Sequence, residues 1–361
     1  MKNVYLKLSD NQFNIKNIAV ATVIRTQGST PQKPGSTAIF SSDGLIAGTV
    51  GGGVVEGRVQ QAALEVIKTG RSLLVTYDLY NDIRQKEEAI CGGRITVLID
   101  GRPSNSDKEF RLLRDSVAER MPGVLVTMVT QHTSSEVLIN RYWFSFKHIP
   151  EIQKEFLEKI LPVFREQISS NNIYDFREME LSADDQEPSS LFLLEPVFPQ
   201  EKLVIAGAGH IGKTLSHIGS LLDFEITVID DRSEYANEMN LPDADHIIVS
   251  NIGDALEKIA KKEDTYVVIV TRGHKDDAEA LKPCIGSNLA YVGMIGSRKK
   301  VNAIRDSFIE KGWATGETWD KIYTPIGLDI GSQTVEEIAV SIAAQLVKVR
   351  SSLRGKKQEK Q

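Results

Sequence analysis

Three glycines follow an apolar run in the second half of the chain, with a spacing that suits dinucleotide binding. The run Leu203–Ala206 leads into Gly207, Gly209 and Gly212, and a helical pattern follows. In this arrangement the first glycine permits a tight turn, the second lets the backbone approach a pyrophosphate, and the third lets the helix pack against the strand. Unpaired N–H groups at the helix N-terminus would then bind the pyrophosphate.

A carboxylate stands where the ribose of such a nucleotide would lie. Asp230 ends the next strand-like segment, about 20 residues after the glycines, and could accept hydrogen bonds from both ribose hydroxyls. A carboxylate at this position predicts a preference for NAD over NADP. The nearby Arg232 weakens that preference. His210, in the first helical turn, is a further candidate for the site. The alternative is a domain of the same shape whose nucleotide site is vestigial and serves only as a scaffold.

Two more segments are predicted to lie at the same edge of the sheet. With strand order 3-2-1-4-5-6 the ligand crevice opens beyond strands 1 and 4, so His274, in the loop after strand 4, is a candidate acid–base residue. Gly296, Ser297 and Arg298 form a glycine-bearing turn into a helix, which suits a second anion. The alternatives are a solvated histidine and a capped helix with an exposed basic turn.

A second group of glycines lies in the first half of the chain. Gly51, Gly52 and Gly53 lead from a strand into a helical pattern with Glu56 in its first turn. Consecutive glycines permit positive φ and close approach of a ligand at a helix N-terminus. The lysine and hydroxyl of a Walker loop are absent. The alternative is a flexible strand-to-helix connection.

The two cysteines of the chain have different settings. Cys91 precedes two glycines, where an accessible thiolate could act as a metal ligand or a redox group. Cys284 lies in a helical pattern and is expected to be a small buried residue. Two cysteines provide neither a disulfide framework nor a CxxC zinc site.

Alternating strand and helix patterns position the C-terminal candidates. Strands are predicted at 203–206, 225–229, 246–249, 266–271 and 290–294, and helices begin near His210, Ser233, Ile252, Asp276 and Ser297. This alternation predicts a doubly wound parallel sheet. A last helix begins after Thr334 with a capping box.

The first half mixes strand and helix patterns without fixing a topology. Strands are predicted at 18–24, 37–40, 73–76, 95–99 and 124–129, and helices at 54–68, 107–120 and 151–168. The sequence thus predicts an α/β protein with a mixed α/β domain over 1–180 and a Rossmann-like domain over 201–361. A Ser/Asp/Pro-rich stretch between them, 181–200, is typical of a linker.

Composition excludes several classes of protein. A length of 361 residues with 41% hydrophobic and 25% charged residues is typical of a globular chain of two to three domains. A net charge of −6 and the absence of a basic patch disfavour nucleic acid and anionic membranes as partners. Neither a membrane span nor a secretion signal is apparent, so we expect no membrane span and a cytoplasmic location.

The chain resembles the XdhC/CoxI family of xanthine dehydrogenase accessory proteins. The matching segments follow the family's order: 28–35, 48–57, 90–94, 207–212 with 228–232, 271–276, 291–300, and 325–331 followed by 336–339. Residues 101–200 contribute no usable match. An ordinary dehydrogenase would have neither the Pro-Ile-Gly-Leu-Asp segment at 325–329 nor the N-terminal glycine loops.

The resemblance implies an accessory chaperone without turnover of its own. Such proteins bind molybdenum cofactor (molybdopterin), protect it while a terminal sulfido ligand is installed, and pass it to a molybdenum hydroxylase such as xanthine dehydrogenase. The implied partners are that apoenzyme, a cysteine desulfurase and a second copy of the chain.

One position departs from the family pattern, because Val54 stands where members usually have a cysteine. The metal or sulfur ligand expected from the resemblance is then Cys91, which matches the family's second Cys-Gly-Gly. Two other functions remain open: an NAD(P)-dependent oxidoreductase with His274 as acid–base, and a nucleotide-sensing regulator. The N-terminal glycine loops and Cys91 favour the accessory role, since the oxidoreductase would not need them.

Overall fold

The computed structural model describes residues 4–8, 15–79, 92–131, 136–182, 190–259 and 262–358. The chain divides into two compact units, Met1–Pro199 and Gln200–Gln361. The α/β class and the C-terminal parallel sheet are as predicted.

The N-terminal unit is built on an antiparallel sheet. Its strands are β1 (Ile18–Gly28), β2 (Thr37–Ser41), β3 (Gly44–Gly48), β4 (Ser72–Asp78), β5 (Gly93–Asp100), β6 (Gly123–Gln131), β7 (Glu136–Ser145), β8 (Arg177–Leu181) and β9 (Ser190–Val197). Within the described ranges they are ordered β3-β2-β1-β5-β4-β7-β6-β9-β8. All five predicted strands are present, as β1, β2, β4, β5 and β6, whereas β3, β7, β8 and β9 were not among them.

Helices cover this sheet by burying one face each. They are α1 (Val4–Leu8), α2 (Gly53–Thr69), α3 (Asp107–Ala118) and α4 (Lys154–Ser170). In α2 the buried residues Val55, Val59, Ala63 and Val66 recur every three or four positions and share a core with β1 and β5. In α4, Phe156, Ile160 and Phe164 pack in the same way against β6 and β9.

Part of the segment predicted as a linker, 181–200, is a strand in the structure. Residues 190–197 are β9, which pairs with β6 on one side and β8 on the other. Phe192 and Leu194 are completely buried, so this strand belongs to the N-terminal core. The Ser/Asp/Pro composition that suggested a linker belongs mainly to 183–189, which lies outside the described residues.

A buried polar cluster joins six elements of the N-terminal unit. The Tyr5 hydroxyl of α1 donates to Glu195 of β9, 2.9 Å from Oε1, and lies close to Thr22 and Thr37 of β1 and β2. Arg141 of β7 forms a buried ion pair with Asp100. Burial raises the pKa of Glu195 to about 7, although the Tyr5 hydrogen bond and the Arg141 charge both act to lower it.

The C-terminal unit is a parallel sheet with helices on both faces. Its strands are β10 (Lys202–Ala206), β11 (Glu225–Asp230), β12 (His246–Val249), β13 (Thr265–Ile269) and β14 (Tyr291–Met294), ordered β12-β11-β10-β13-β14. Counted from β10, this is the predicted order 3-2-1-4-5. The predicted helix near Ser233 is instead a series of turns.

Successive residues of the strands face opposite layers. The helices are α5 (His210–Leu221), α6 (Ile252–Lys258), α7 (His274–Leu281), α8 (Arg298–Glu310), α9 (Gly316–Trp319) and α10 (Val335–Gln358). Leu203 and Ile205 pack with α5 and α10, whereas Val204 and Ala206 pack with α6, α7 and α8. In the part of the chain that the structure describes, no helix combines the length and apolarity needed to cross a bilayer.

We predict that Glu195 makes the stability of the N-terminal unit depend on pH. The pKa of Glu195 in the folded protein, about 7, lies above its ordinary value of 4.5. Its contribution to the free energy of unfolding is therefore full below about pH 4.5 and is lost as the pH rises through 7. Hydrogen exchange of N-terminal peptides in the full chain should show the free energy of unfolding falling by roughly 2–3 kcal/mol between pH 5 and pH 8.

Glu195→Gln should remove most of this pH dependence. Glu158→Gln, at an exposed position of α4, is the matched control and should retain it. Equal pH dependence of Glu195→Gln and the wild type would contradict the prediction.

Candidate functional site

The three glycines of the C-terminal unit occupy the positions that the motif requires. Gly207 has a φ of 117°, and a Cβ there would lie 2.6 Å from the Val270 carbonyl oxygen. A Cβ on Gly212 would overlap the carbonyl oxygen of Gly207. A Cβ on Gly209 would meet no atom of the described chain within 4 Å. The backbone is therefore open at Gly209, where a phosphate would approach, and the N–H groups of the first turn of α5 lack helical acceptors.

Asp230, the predicted ribose-binding residue, is bonded within the chain in this structure. Its side chain is 2% exposed. Oδ2 accepts from the backbone N–H of Ala208 at 2.8 Å and from Arg232 Nη2 at 2.9 Å. Oδ1 accepts from the backbone N–H and from Nε of Arg232, at 3.0 and 2.9 Å. The carboxylate therefore joins the glycine loop after β10 to the end of β11.

These contacts leave little capacity for a ribose. Burial would raise the pKa of Asp230, but the hydrogen bonds from Arg232 and from the N–H of Ala208 outweigh it and lower the pKa to about 2. A carboxylate accepts about four hydrogen bonds, and this one accepts four within the chain. The predicted contact with a ribose diol would require Arg232 to leave.

An open, concave surface pocket lies beside Asp230, at the carboxyl ends of β11, β12 and β13. It is lined by Asp230, Asp231, Arg232, Asn251, Ile252, Gly253, Thr271, Arg272, Asp276 and Glu279. Ligands of open α/β sheets bind at this edge. The sequence predicted that the loop from Arg272 to Asp276 faces this crevice, but nothing in the local pattern indicated a role for Asp231 or Glu279.

A buried ion pair holds the β13 side of the crevice. Asp277 of α7 is completely buried, pairs with Lys300 of α8 and accepts a hydrogen bond from Thr271. Burial raises the pKa of Asp277, and the contacts with Lys300 and Thr271 oppose that rise. This pair fixes the loop that leads into His274, the first residue of α7. Nothing in the sequence pattern predicted this pair.

The remaining predicted site residues lie at the starts of helices α8 and α5. Ser297 caps α8, where its side chain accepts from the Lys300 N–H at 3.4 Å, and Arg298 is exposed beside it. This geometry agrees with the alternative of a capped helix with an exposed basic turn. Gly296 precedes the cap, and His210 is the exposed first residue of α5. Their contacts with a ligand remain predictions.

The N-terminal glycine loops converge within their own unit. A Cβ on Gly51 would lie 2.6 Å from Pro31 Cγ, and a Cβ on Gly93 would lie 2.5 Å from the Ser29 carbonyl oxygen. The Ser29 N–H donates to the Gly92 carbonyl at 3.1 Å. The segments 28–35, 48–57 and 92–94 therefore lie together. Cys91, the metal-ligand candidate, lies outside the described residues.

The start of α2 is the open part of this cluster. Gly52 and Gly53 have φ angles of 65° and 53°, and a Cβ on either would contact nothing described within 4 Å. Glu56 accepts from Thr49 Oγ1 at 2.9 Å, and Thr49 Oγ1 accepts from the Gly51 N–H at 3.1 Å. Thus Glu56 stabilises the turn. Among the described residues, no group of three or more His, Cys, Asp or Glu side chains is arranged to hold a metal ion.

The fold and these sites define a Rossmann-type unit combined with a glycine-rich α/β unit. The family model described as XdhC Rossmann domain matches residues 203–346, and the model described as XdhC and CoxI family matches residues 16–78. Both matches confirm the resemblance to the XdhC and CoxI family that the sequence showed.

Two similar proteins align with nearly the whole chain, and a third aligns with less than half of it. A protein of Bacillus subtilis (strain 168), described as a probable xanthine dehydrogenase subunit, is 23% identical over 92% of both chains. The crystal structure of a xanthine dehydrogenase from Bacillus halodurans superposes with a TM-score of 0.70 at 26% identity, covering 96% of this chain and 95% of that one. The uncharacterized protein YqeB of Escherichia coli (strain K12) is 33% identical over 43% of this chain and 28% of its own length.

We predict that Gly209 and Gly212 respond differently to alanine. Gly212→Ala forces a Cβ onto the Gly207 carbonyl and should destabilise the C-terminal unit by about 1–3 kcal/mol, measured by thermal unfolding. Gly209→Ala has room for its Cβ and should unfold within about 0.5 kcal/mol of the wild type. Equal destabilisation by both changes would contradict the close approach of α5 to the glycine turn.

Proposed function

We propose that this protein is an accessory protein for a molybdenum hydroxylase of the xanthine dehydrogenase type. In this proposal it binds molybdenum cofactor, protects it during sulfuration and inserts it into the apoenzyme. The observation that carries the proposal is the family match in both units, since each matched region contains a glycine-rich site.

The geometry of the crevice argues against the oxidoreductase alternative. A nicotinamide dinucleotide would use the carboxylate at the end of β11 for its ribose. Asp230 is instead buried and bonded to Ala208 and Arg232. A carrier protein has no need of that ribose contact.

Both glycine-rich sites suit a phosphate-bearing cofactor. The open backbone at Gly209 in the C-terminal unit, and at Gly52 and Gly53 in the N-terminal unit, leaves helix N-terminal N–H groups accessible to a phosphate. When bound, the cofactor supplies a molybdenum atom that carries the sulfido ligand. Cys91 would provide a soft thiolate, which suits molybdenum or sulfur better than nitrogen or carboxylate ligands do.

The remaining parts of the proposal concern partners and location. The partners are the hydroxylase apoenzyme, a cysteine desulfurase that supplies sulfur, and a second copy of this chain. Their common compartment would be the cytoplasm. NAD(P) is the second candidate ligand of the C-terminal site: it would bind through Gly207, Gly209 and Gly212, without the ribose contact to Asp230.

Anaerobic purification tests the proposal. The full chain from cells that make molybdenum cofactor should retain pterin and molybdenum and should activate a xanthine dehydrogenase-type apoenzyme. The matched control is the same chain from cells blocked in pterin synthesis, which should do neither. Background levels of pterin in both preparations, or turnover of NAD(P)H with a small substrate, would contradict the proposal.

Cys91→Ser should lower the molybdenum retained, or the fraction of hydroxylase that receives sulfurated cofactor, because serine lacks the soft ligand. Cys284→Ala is the matched control, since Cys284 is buried beside Ala280 and is expected to have only a packing role. Metal analysis and the activity of the reconstituted hydroxylase measure both effects. Molybdenum content and hydroxylase activity equal to those of the wild type would contradict a role for Cys91. The backbone of the glycine loops would then be the binding determinant.

A further inference from the structure

The C-terminal sheet has an open edge at β12. This strand pairs with β11, and no other strand of the described chain pairs with it. The N–H of Ser250, directly after β12, donates to the Asp230 carbonyl of β11 at 3.1 Å. Because successive residues of a strand direct their backbone groups to opposite sides, Ile247 and Val249 direct theirs away from β11. Their N–H and C=O groups are therefore placed to pair with an added strand.

Each of the other three sheet edges in the described chain has a protecting feature. The pairing of β3 with β2 contains a shift in register, and β8 has charged side chains at three of its five positions. The outer side of β14 is covered by Tyr323, whose N–H donates to the Val292 carbonyl at 2.9 Å and whose carbonyl accepts from the Met294 N–H at 3.0 Å. The four residues of β12, His-Ile-Ile-Val, include no lysine, proline or acidic residue, and their pairing with β11 is regular.

Large apolar side chains are exposed around this edge. Val249, the last residue of β12, is 51% exposed, and Met239, in the connection from β11 to β12, is 92% exposed. Helix α5 lies beside that connection, because His217 Nδ1 is 2.9 Å from Asp243 Oδ2. Leu221, one turn further along α5, is 69% exposed. Exposed apolar side chains beside an open strand edge are typical of a protein–protein contact.

The residue pattern of β12 is self-complementary. In an antiparallel pair with a two-fold axis at Ile248, Ile247 lies opposite Val249 of the partner subunit. The residues with outward backbone groups then face each other, and each such pair exchanges two hydrogen bonds. Both side chains lie on the same face of the sheet, because they are two positions apart. Ile248 meets its own counterpart, so apolar side chains contact apolar side chains along the strand.

We propose that β12 pairs antiparallel with β12 of a second copy of this chain, which joins the two five-stranded sheets into one continuous sheet. The inference rests on the proposed function for the identity of the partner, a second copy, and adds the surface and the register of their contact.

The size of the contact favours a second copy over an isolated peptide. A strand of four residues alone buries much less than the roughly 1,200 Å² of a specific interface. Two-fold pairing brings the connections and the α5 ends of both copies beside the joined strands, so Met239 and Leu221 extend the contact. Charge does not oppose the approach, because Glu225, beside the start of β12, is already paired: its Oε1 lies 3.4 Å from His246 Nε2 and 3.8 Å from Lys202 Nζ.

Sedimentation velocity of the full chain tests the contact. The wild type should sediment as a dimer at micromolar concentration. Val249→Lys places a charge in the contact on both copies, and each charge costs about tenfold or more in affinity, so the dissociation constant should rise by about a hundredfold or more. Val340→Lys, at a valine of α10 that is 49% exposed, is the matched control and should keep the wild-type dissociation constant. Thermal unfolding of both variants excludes loss of fold as the cause.

Disulfide trapping tests the register. In a chain that carries Cys91→Ser and Cys284→Ala, Ile248→Cys places two thiols directly opposite each other, with Cα atoms about 4.5 Å apart, and mild oxidation should link the two chains. Val249→Cys is the matched control. It faces Ile247 of the partner subunit in this register, so it should link the chains much less.

Three results would overturn the proposal: a monomeric wild type, a dimer that survives Val249→Lys, or stronger linking by Val249→Cys than by Ile248→Cys. Failure of this inference is distinguishable from failure of the proposed function. A monomeric chain that retains pterin and molybdenum would reject the β12 contact alone. A dimer that Val249→Lys dissociates, in a chain that retains no cofactor, would reject the carrier role alone.

Discussion

The hydrogen bond from the Ala208 N–H to Asp230 is the constraint on which the C-terminal site depends. It ties the turn after β10 to the last residue of β11, and a second bond from the Gly207 N–H to the Ile229 carbonyl, 2.8 Å long, runs beside it. The same carboxylate holds Arg232, and through it sets one wall of the adjacent pocket. One buried acid thus shapes both the glycine loop and the pocket.

Local sequence pattern was sufficient to predict the fold of the C-terminal unit. Apolar runs and glycine spacing are short-range signals, and they predicted five strands and most helices. The strand order followed from the doubly wound topology that this alternation implies. The predicted helix near Ser233 failed for an equally local reason. The side chains of Asn237 and Asn240 bond to backbone carbonyls of Ser233, Glu234 and Tyr235, and such contacts compete with helical hydrogen bonds.

The contacts of Asp230 could not be predicted from its position alone. The motif places a carboxylate there for a ribose, but Arg232 lies two residues later and folds back onto it. In the N-terminal unit the missing information was long-range. Tyr5 and Glu195 are separated by 190 positions, and β4 pairs with both β5 and β7, so neither contact leaves a mark in a short window.

In the proposed function, the chain holds a cofactor at its glycine-rich sites and releases it to a partner. The stoichiometry of transfer is the most direct measurement of that carrier role. Cofactor-loaded protein is mixed anaerobically with excess hydroxylase apoenzyme, and active hydroxylase is counted against loaded protein. A carrier should yield active enzyme in proportion to its load and stop when that load is exhausted. Absence of active hydroxylase, with the cofactor still on the accessory chain, would contradict the account.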